Sequence, residues 1–271
     1  PPEFLLQLYC LLSDNYRWDG DPQALLWADR AADVARTQQD ELGYVMATAQ
    51  ANIARVSLRL SEPDTLSRLQ EHLAYLETTP APSRLFFEVL EALLHETLAR
   101  GEFEQSLAYG QRLLNMNKGF RNMYGLSVAA YGLAETCIRL GRPAQAAGYL
   151  LDALDWHIAI AREWQTLGCL MSICLFAELL GFQKEAVTVL AMAERHPEAH
   201  RHLRDEYDTL RLRLSAALGA AAFAAAEERG QSLSFEAGLA LARAALLDKA
   251  QSLSEAEDHL ETASRGKAQR L

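Results

Sequence analysis

The sequence lacks the features of a membrane, secreted or nucleic-acid-binding protein. Its longest apolar stretch, from Leu167 to Ala177, is far shorter than the ~20 residues that span a bilayer, and no basic segment with a cleavage site opens the chain. With 26 basic and 36 acidic residues, the net charge of −10 repels nucleic-acid phosphates and anionic lipids. We therefore predict no membrane and no nucleic-acid partner. We expect a cytoplasmic protein and, because no initiator methionine is present, a fragment of a longer chain.

Cysteine is also scarce, and its spacing indicates no special chemistry. The four cysteines, Cys10, Cys137, Cys169 and Cys174, show neither zinc-finger spacing nor a C-x-x-C pair. Cys169 and Cys174 are five residues apart on a predicted helix, so they point in different directions. The pattern favours buried free thiols in a reducing compartment.

Motifs of catalysis are missing as well. Glu261 stands where a phosphate-binding loop ending at Gly266-Lys267 needs its first glycine. Neither "GLSVA" nor "GQSLS" completes the G-x-S-x-G turn that carries an esterase nucleophile. Carboxylates such as Glu88, Glu91 and Asp152 are predicted to lie on solvated helix faces. We therefore predict that this segment is not an enzyme and holds no cofactor.

One histidine group resembles a metal site. His196, His200 and His202 include a pair at i, i+4 spacing, which on a helix could bind zinc together with a nearby carboxylate. Pro197, however, marks the start of a helix, where polar residues are ordinary. We predict no metal.

What the sequence does contain is a repeat with a period of about 40 residues. Gly101, Gly141 and Gly181 follow similar apolar segments and precede similar helical segments at intervals of 40. Ser61 and Gly20 extend the series toward the N-terminus, so that five turns are in phase. A glycine or serine at such a turn accommodates backbone angles that bulkier residues resist.

Each turn joins two amphipathic helices. In residues 123–140 the apolar residues recur at i, i+3, i+4 and i+7, which is helical spacing, and residues 143–154 repeat the pattern after the turn. One hairpin cannot bury its apolar stripe alone, so neighbouring hairpins must stack on it, each contacting only its neighbours. We predict an all-α, right-handed superhelical solenoid of antiparallel helix hairpins with a C-terminal capping helix pair.

The hairpins carry features of a known family. Small residues of the first helix are placed to face small residues of the second, as in Ala134 with Ala146 and Cys174 with Ala186, and Gly101-Glu102-Phe103 forms a glycine–x–aromatic turn. These features resemble the tetratricopeptide repeat. The 40-residue period is similar to the extended version in bacterial STAND-type signal-transduction ATPases and in LuxR-type, maltose-activator-like regulators.

A second resemblance lies at the start of each first helix. The residues 17 positions before the turns are Tyr44, Arg84, Tyr124 and Trp164, three of them aromatic, as in the aromatic-led helices of such arrays. Either packing between repeats or an aromatic wall for a ligand would explain them.

The stretch "LGAAAFAAAEERGQSLSFEAGLALA" (218–242) resembles the closing segment of the same arrays. We predict that a helix beginning near Glu198 contains the alanines, whose small side chains (Ala222 and Ala225 among them) let it dock closely, and that Gly230 ends it. Ser234 then caps the next helix. We assign 1–197 to about five repeats, 198–247 to the terminal repeat and capping helices, and 248–271 to a polar tail whose Ser254–Glu257 capping box begins one short helix.

The resemblance implies a regulatory role. It suggests a sensor or interaction module whose occupied groove biases an attached N-terminal ATPase between off and on states. The occupant would be a peptide, a protein or a small-molecule effector. A stand-alone adaptor for protein–protein interaction is the alternative.

In such arrays the first helices line the concave surface. We predict that the inward-facing positions lie 13, 10, 6 and 3 residues before each turn, with arginines one residue further on. The candidate binding residues chosen from these positions are Arg55, Arg59, Glu88, Glu91, His95, Tyr131, Glu135, Arg139, Met171 and Glu178.

Overall fold

The computed structural model describes residues 2–79, 83–160, 163–196 and 204–268, and in those ranges its regular structure is entirely helical, as predicted. The fourteen helices of these ranges fall into two compact units, Pro1–Met116 (unit 1) and Asn117–Leu271 (unit 2). Within the same ranges, no helix combines the length and apolarity needed to cross a bilayer.

Unit 1 is built from helices that pack in chain order. They are α1 (Pro2–Trp18), α2 (Gln23–Gln38), α3 (Glu41–Ser57), α4 (Thr65–Thr78), α5 (Ser83–Ala99) and α6 (Phe103–Phe120), whose last four residues belong to unit 2. Helix α1 contacts α2 and α3, and α3 contacts α4 and α5, so α1, α3 and α5 are successive neighbours. The start of α3 is fixed by Asp40, whose carboxylate accepts the Gly43 N–H at 2.9 Å.

Unit 2 contains the remaining helices. They are α7 (Met123–Arg139), α8 (Pro143–Ile160), α9 (Glu163–Cys174), α10 (Ala177–Leu180), α11 (Gln183–Ala193), α12 (Arg204–Leu218), α13 (Ala220–Ser232) and α14 (Phe235–Ala268). Helix α7 packs on α8, α8 on α9, α9 on α11, and α11 on both α12 and α13.

The last helix departs from the prediction that each hairpin contacts only its neighbours. Helix α14 packs against α11 and also against α8, which precedes α11 by a whole hairpin. Arg243 of α14 donates its Nε and Nη2 protons to the carboxylate of Asp155 in α8 at 2.8 and 3.0 Å. Helix α14, which is 34 residues long, thus contacts the second helices of two successive hairpins.

The predicted turns are confirmed at the glycines and shifted at the serine. Four turn glycines have a left-handed backbone, with φ of 71°, 78°, 70° and 77° at Gly20, Gly101, Gly141 and Gly181. At the second turn the left-handed residue is Arg59 (φ 57°), two positions before the predicted Ser61. Ser61 instead donates its hydroxyl proton to the buried Glu96 at 2.6 Å, an interaction that a glycine could not make.

The apolar stripes occupy the predicted faces. The stripe of α7 is buried at Leu126, Ala129, Ala130, Leu133 and Cys137, and that of α8 at Ala146, Ala147, Leu150 and Leu154. Of the predicted facing pairs, Cys174 and Ala186 are in contact, since the Cys174 thiol donates to the Ala186 carbonyl at 3.8 Å, and Ala134 and Ala146 are both fully buried. Cys137, Cys169 and Cys174 are buried free thiols, as predicted, whereas Cys10 is half-buried.

The fourth first-helix segment, predicted as one helix over 163–180, is broken. Helix α9 ends at Cys174, and the amides of Leu175 and Phe176 donate three residues back, to Ser172 and Ile173, at 3.2 and 3.0 Å. This tighter turn interrupts the α-helical hydrogen bonding between α9 and α10. Counting positions back from Gly181 therefore does not describe one continuous face here.

In the closing segment, Gly230 has a different role from the one predicted. Helix α13 continues past Gly230 to Ser232, and Gly230 is buried. A Cβ there would overlap the backbone oxygen of Thr188 in α11 and lie 2.7 Å from the Ala191 Cβ. Ala226 is buried four residues earlier, and its carbonyl accepts the Thr188 hydroxyl proton at 3.1 Å.

Close docking therefore depends on one small-residue face rather than on the whole alanine run. Ala225 is exposed and Ala222 only half-buried, whereas Ala226 and Gly230 lie one helical turn apart on the face toward α11. The sequence alone does not distinguish these alanines, because the contacting face is set by the partner helix.

The polar tail also differs from the prediction. Helix α14 runs from Phe235 to Ala268, so the Ser254–Glu257 capping box lies inside a continuous helix instead of starting one. The preceding residues, "DKAQSL", contain no glycine or proline that would end a helix. Ser234 caps α14 as predicted, accepting the Ala237 N–H at 3.2 Å. The predicted helix start near Glu198 and the side chains of His200 and His202 lie outside the described residues.

Candidate ligand-binding site

A cavity of about 110 Å³ lies in unit 1, where one face of each of α1, α3 and α5 meets the others. Its walls come in pairs at helical i, i+4 spacing: Cys10 and Asp14 on α1, Met46 and Gln50 on α3, Arg84 and Glu88 on α5. Leu11 and Leu85 complete the lining. Because residues four apart share one helix face, three helices suffice to form the walls of the space, which is partly open to solvent.

Charged side chains of both signs converge on one side of the cavity. Arg17 Nη2 lies 2.5 Å from Asp14 Oδ1 and 3.7 Å from Glu88 Oε1. Arg84 donates its Nε proton to Glu88 Oε1 at 2.9 Å and also pairs with Asp14. The two carboxylates are therefore each shared between two guanidinium groups.

These pairs are not ordinary surface ion pairs. The side chains of Asp14, Arg17 and Glu88 are only 11%, 9% and 13% exposed, whereas that of Arg84 is 62% exposed. Water screens such charges poorly, so their field acts strongly within the cavity. Arg84 lies at the solvent side of this group.

A third carboxylate adds negative charge. The pKa of Glu91 is raised from 4.5 to about 7, chiefly by burial; the Arg17 charge opposes this rise, and the neighbouring Glu88 and Asp14 charges add to it. Glu91 lies three residues after Glu88, on the same face of α5. The two arginines thus leave this carboxylate incompletely compensated, and it titrates near neutral pH.

The remaining wall is mainly apolar and includes the Gln50 side chain. Leu11, Met46 and Leu85 give the cavity a hydrocarbon surface. Burial raises the pKa of the Cys10 thiol to about 11, so the thiol is neutral at pH 7. The Oε1 atom of Gln50 is buried, and no described residue donates a hydrogen bond to it. An amide oxygen buried without a donor costs free energy.

Of the candidate binding residues in unit 1, only Glu88 lines the cavity. Glu91 interacts electrostatically with Asp14, Arg17 and Glu88, and we call these four residues and Arg84 the charge cluster. Arg55 pairs with Glu62 at 3.2 Å near the hairpin turn. Arg59 is an exposed turn residue, and His95 is exposed on α5.

The candidate residues in unit 2 have mostly structural surroundings. Glu135 and Arg139 lie 3.6 Å apart on α7, and Glu178 pairs with Arg213 of α12. Met171 is 4% exposed and belongs to the core. Burial of its hydroxyl raises the pKa of Tyr131 well above its usual value. Met171 and the Tyr131 hydroxyl are thus enclosed within unit 2, whereas Glu135, Arg139 and Glu178 form ion pairs nearer its surface.

Sequence reasoning missed Asp14, Arg17, Met46, Gln50 and Arg84, although signals for four of them exist. Asp14 and Arg17 lie six and three residues before Gly20, so the positional rule would have found them had it been applied to that turn. Met46 lies 13 residues before Arg59, the true left-handed residue of the second turn. Arg84 is the one non-aromatic residue in the series at 17 positions before the turn, and that departure is itself a signal. Gln50 had none.

A nucleophile–base pair occurs in unit 2. Ser127 Oγ lies 2.5 Å from His157 Nε2, but the two residues are 3% and 6% exposed, so a substrate has no route to the hydroxyl in this conformation. The buried His157 Nδ1 has no hydrogen-bond partner among the described residues, so nothing there orients the ring as a third catalytic group would. The pair is best understood as a hydrogen bond between α7 and α8.

A metal site is not indicated by the described part of the chain, which contains no group of three or more potential ligands with suitable geometry. Among the arrangements of described residues, we therefore take the cavity between α1, α3 and α5 as the candidate binding site. No protein-family model matches the chain, and no curated protein matches it either.

Proposed function

We propose that the chain is a ligand-binding sensor module and that the cavity of unit 1 is its binding site. One observation carries this proposal: a partly open space whose wall combines apolar side chains with the little-exposed carboxylates of Asp14 and Glu88. Ligand sites in proteins have this composition, an apolar lining with a few placed polar groups. A space that only reflected imperfect packing would have an apolar wall.

The hairpin arrangement supports the same proposal. Within each unit, helices pack in succession with a left-handed residue at the hairpin turns, which fits a right-handed solenoid of tetratricopeptide type. In unit 1 the cavity lies between α1, α3 and α5, the first helices of successive hairpins, which is the side that such arrays use for binding. The proposed function includes no catalysis.

The wider role rests on the resemblance to bacterial signalling arrays. An occupant bound between three hairpins would favour one spacing of those hairpins over another, and a ligand with different affinities for two states shifts the equilibrium between them. The proposed readout is an ATPase domain on a longer chain in the cytoplasm. A stand-alone adaptor would bind partners without such a shift.

A thermal-shift screen of small amines, alcohols, carboxylic acids, sugars and dipeptides tests the binding site. The screen compares the natural chain with Leu11→Trp, which adds an indole at the cavity mouth, and with Leu26→Trp as the matched control. Leu11 and Leu26 are both exposed leucines of unit 1, but only Leu11 lines the cavity.

We expect at least one compound to raise the melting temperature saturably in the natural chain and in Leu26→Trp, and to lose this effect in Leu11→Trp. Compounds that act equally on all three proteins would contradict the proposed site. So would a complete absence of stabilising compounds.

A further inference from the structure

The charge cluster of unit 1 has an excess of negative charge. Asp14, Glu88 and Glu91 provide three carboxylates, whereas Arg17 and Arg84 provide two guanidinium groups. Both arginines already contact both Asp14 and Glu88. The cluster therefore lacks one positive charge when all three carboxylates are ionised.

The position of this excess favours a cation in the cavity. Asp14 and Glu88 line the cavity directly, and their low exposure weakens the screening by solvent. A cation placed there interacts favourably with all three carboxylates. An anion could pair only with the outer face of Arg84 and would be repelled by the carboxylates behind it.

The unsatisfied acceptor specifies a second property of the ligand. The Gln50 amide has a buried oxygen without a donor among the described residues, and rotation about its last side-chain torsion would turn that oxygen toward the cavity that Gln50 lines. A head group with several N–H donors would bond to this oxygen and to the neighbouring carboxylates at the same time. A quaternary ammonium has no such donors.

The size and remaining wall limit the rest of the ligand. A volume of about 110 Å³ is well below the roughly 300–1,000 Å³ of sites for drug-sized molecules, so only a few heavy atoms fit inside. Leu11, Met46 and Leu85 would contact them, which favours a short aliphatic group.

We propose that the ligand of this cavity carries a primary ammonium head group on a short aliphatic body. This inference rests on the proposed function of the cavity as the binding site. The head group lies among Asp14, Glu88 and the Gln50 amide, and the aliphatic body lies against Leu11, Met46 and Leu85. The ligand is a free small amine or the amine-bearing end of a larger molecule, and a free amine suffices as a probe.

The test uses three probes with one carbon skeleton and different head groups: isobutylamine, isobutanol and isobutyrate. Each is titrated calorimetrically into the full 271-residue chain at pH 7. We expect isobutylamine to bind at least about tenfold more tightly than isobutanol, and isobutyrate to bind most weakly, because only the amine supplies the missing charge.

Two variants locate the binding. Gln50→Leu removes the amide acceptor and is expected to weaken isobutylamine binding about fivefold or more. Gln105→Leu, at an exposed position of α6 in the same unit, is the matched control and is expected to leave the affinity unchanged. Circular dichroism and the melting temperature of each variant establish that it is folded.

A second readout does not depend on Gln50. A cation beside Glu91 favours the ionised form of that carboxylate, so amine binding near pH 7 releases part of a proton. Titrations in two buffers with different ionisation enthalpies measure this release. Glu91→Gln is expected to abolish it.

The outcomes separate this inference from the proposed function. Binding of isobutanol or isobutyrate as tight as that of isobutylamine, lost in Leu11→Trp, would overturn the ammonium inference and leave the cavity as a binding site. No saturable binding of isobutylamine, or amine binding without proton release and unchanged in a folded Gln50→Leu, would also overturn it. Tight amine binding that depends on Gln50 or is coupled to Glu91 ionisation supports it.

Discussion

The two units use charged side chains in different ways. In unit 1, Asp14, Arg17 and Glu88 are nearly enclosed and surround a cavity. In unit 2, pairs such as Arg243 with Asp155 lie near the surface and link helices, in this case α14 to α8, at 47% and 40% side-chain exposure. Buried charge is expensive, so its concentration around the cavity of unit 1 suggests a use other than stability.

The packing of helices also differs between the two units. Unit 2 brings α13 so close to α11 that Gly230 has no room for a Cβ. In unit 1 the meeting of α1, α3 and α5 leaves a space lined by charged and apolar side chains. Buried polar atoms without a partner among the described residues occur in both units, as at Gln50 Oε1 and His157 Nδ1, so the contrast lies in the cavity itself.

The largest expected effect is on the core of unit 2. Leu133→Asp places a carboxylate at a fully buried position of α7, where an unpaired charge costs several kcal/mol against a total stability of ~5–15 kcal/mol. We expect the helical circular dichroism signal of unit 2 to be lost or to melt far below that of the parent. Leu212→Asp, at a 74% exposed position of α12, is the control and should melt like the parent. Equal melting of Leu133→Asp and the parent would show that the assigned core face is wrong.

Close packing in unit 2 predicts opposite effects for two glycine substitutions. Gly230→Ala forces a Cβ against the Thr188 carbonyl and is expected to destabilise the chain by ~1–3 kcal/mol. Gly148→Ala, in the interior of α8 with nothing near the added methyl group, is expected to stabilise it by ~0.5–1 kcal/mol. Urea unfolding measures both. A neutral Gly230→Ala would mean that α13 does not approach α11 as closely as the structure shows.

These glycines also show which features of the fold can be predicted from the sequence. The period, the helical class, the left-handed turns at Gly20, Gly101, Gly141 and Gly181, and the apolar stripes could be predicted, because they depend on local geometry that repeats. The role of Gly230 and the return of α14 to α8 could not, because they depend on which distant helix lies opposite.

The candidate site was predicted only in part for a similar reason. Glu88 and Glu91 came from counting back from Gly101, and the same rule at Gly20 gives Asp14 and Arg17. The shift from Ser61 to Arg59 displaced the prediction on α3, so Met46 was missed. The cavity forms because three helices pack in a particular way, and this packing cannot be predicted from any single stretch of sequence.

In unit 1, replacing Glu91 is expected to change the stability of the chain by an intermediate amount that depends on pH. Because the pKa of Glu91 is raised from 4.5 in the unfolded chain to about 7, the folded protein retains this proton over that interval and the unfolded chain does not. The cost of burying the carboxylate is absent below pH 4.5, grows as the pH rises, and is complete above about 7. We expect Glu91→Gln to be more stable than the parent by ~1–3 kcal/mol above pH 7, with the difference declining toward low pH.

Urea unfolding at several pH values measures this difference. Glu228→Gln, at an exposed position of α13 in unit 2, is the control and should show no pH-dependent difference from the parent. A difference for Glu91→Gln that does not change with pH would mean that the carboxylate is solvated and outside the cluster.

The smallest effect is expected at the surface pair of unit 2. Arg243→Gln removes the pairing with Asp155, and exposed pairs of this kind contribute only ~0.2–1 kcal/mol. We expect a small loss of stability that disappears at high salt. A loss of several kcal/mol, persisting at high salt, would mean that unit 2 depends on charge in the same way as unit 1.

The most direct test of the central claim, that unit 1 binds a ligand in its cavity, uses NMR of the methionine methyl groups. The chain has five methionines, and Met46 alone among them lines the cavity. With ¹³C-labelled methyl groups and isobutylamine as the probe, we predict a saturable shift of the Met46 resonance, assigned with Met46→Leu, while Met171 and Met192 in the core of unit 2 remain unchanged. A Met46 resonance unaffected by isobutylamine, isobutanol and isobutyrate alike, or equal shifts at all five methionines, would contradict the account.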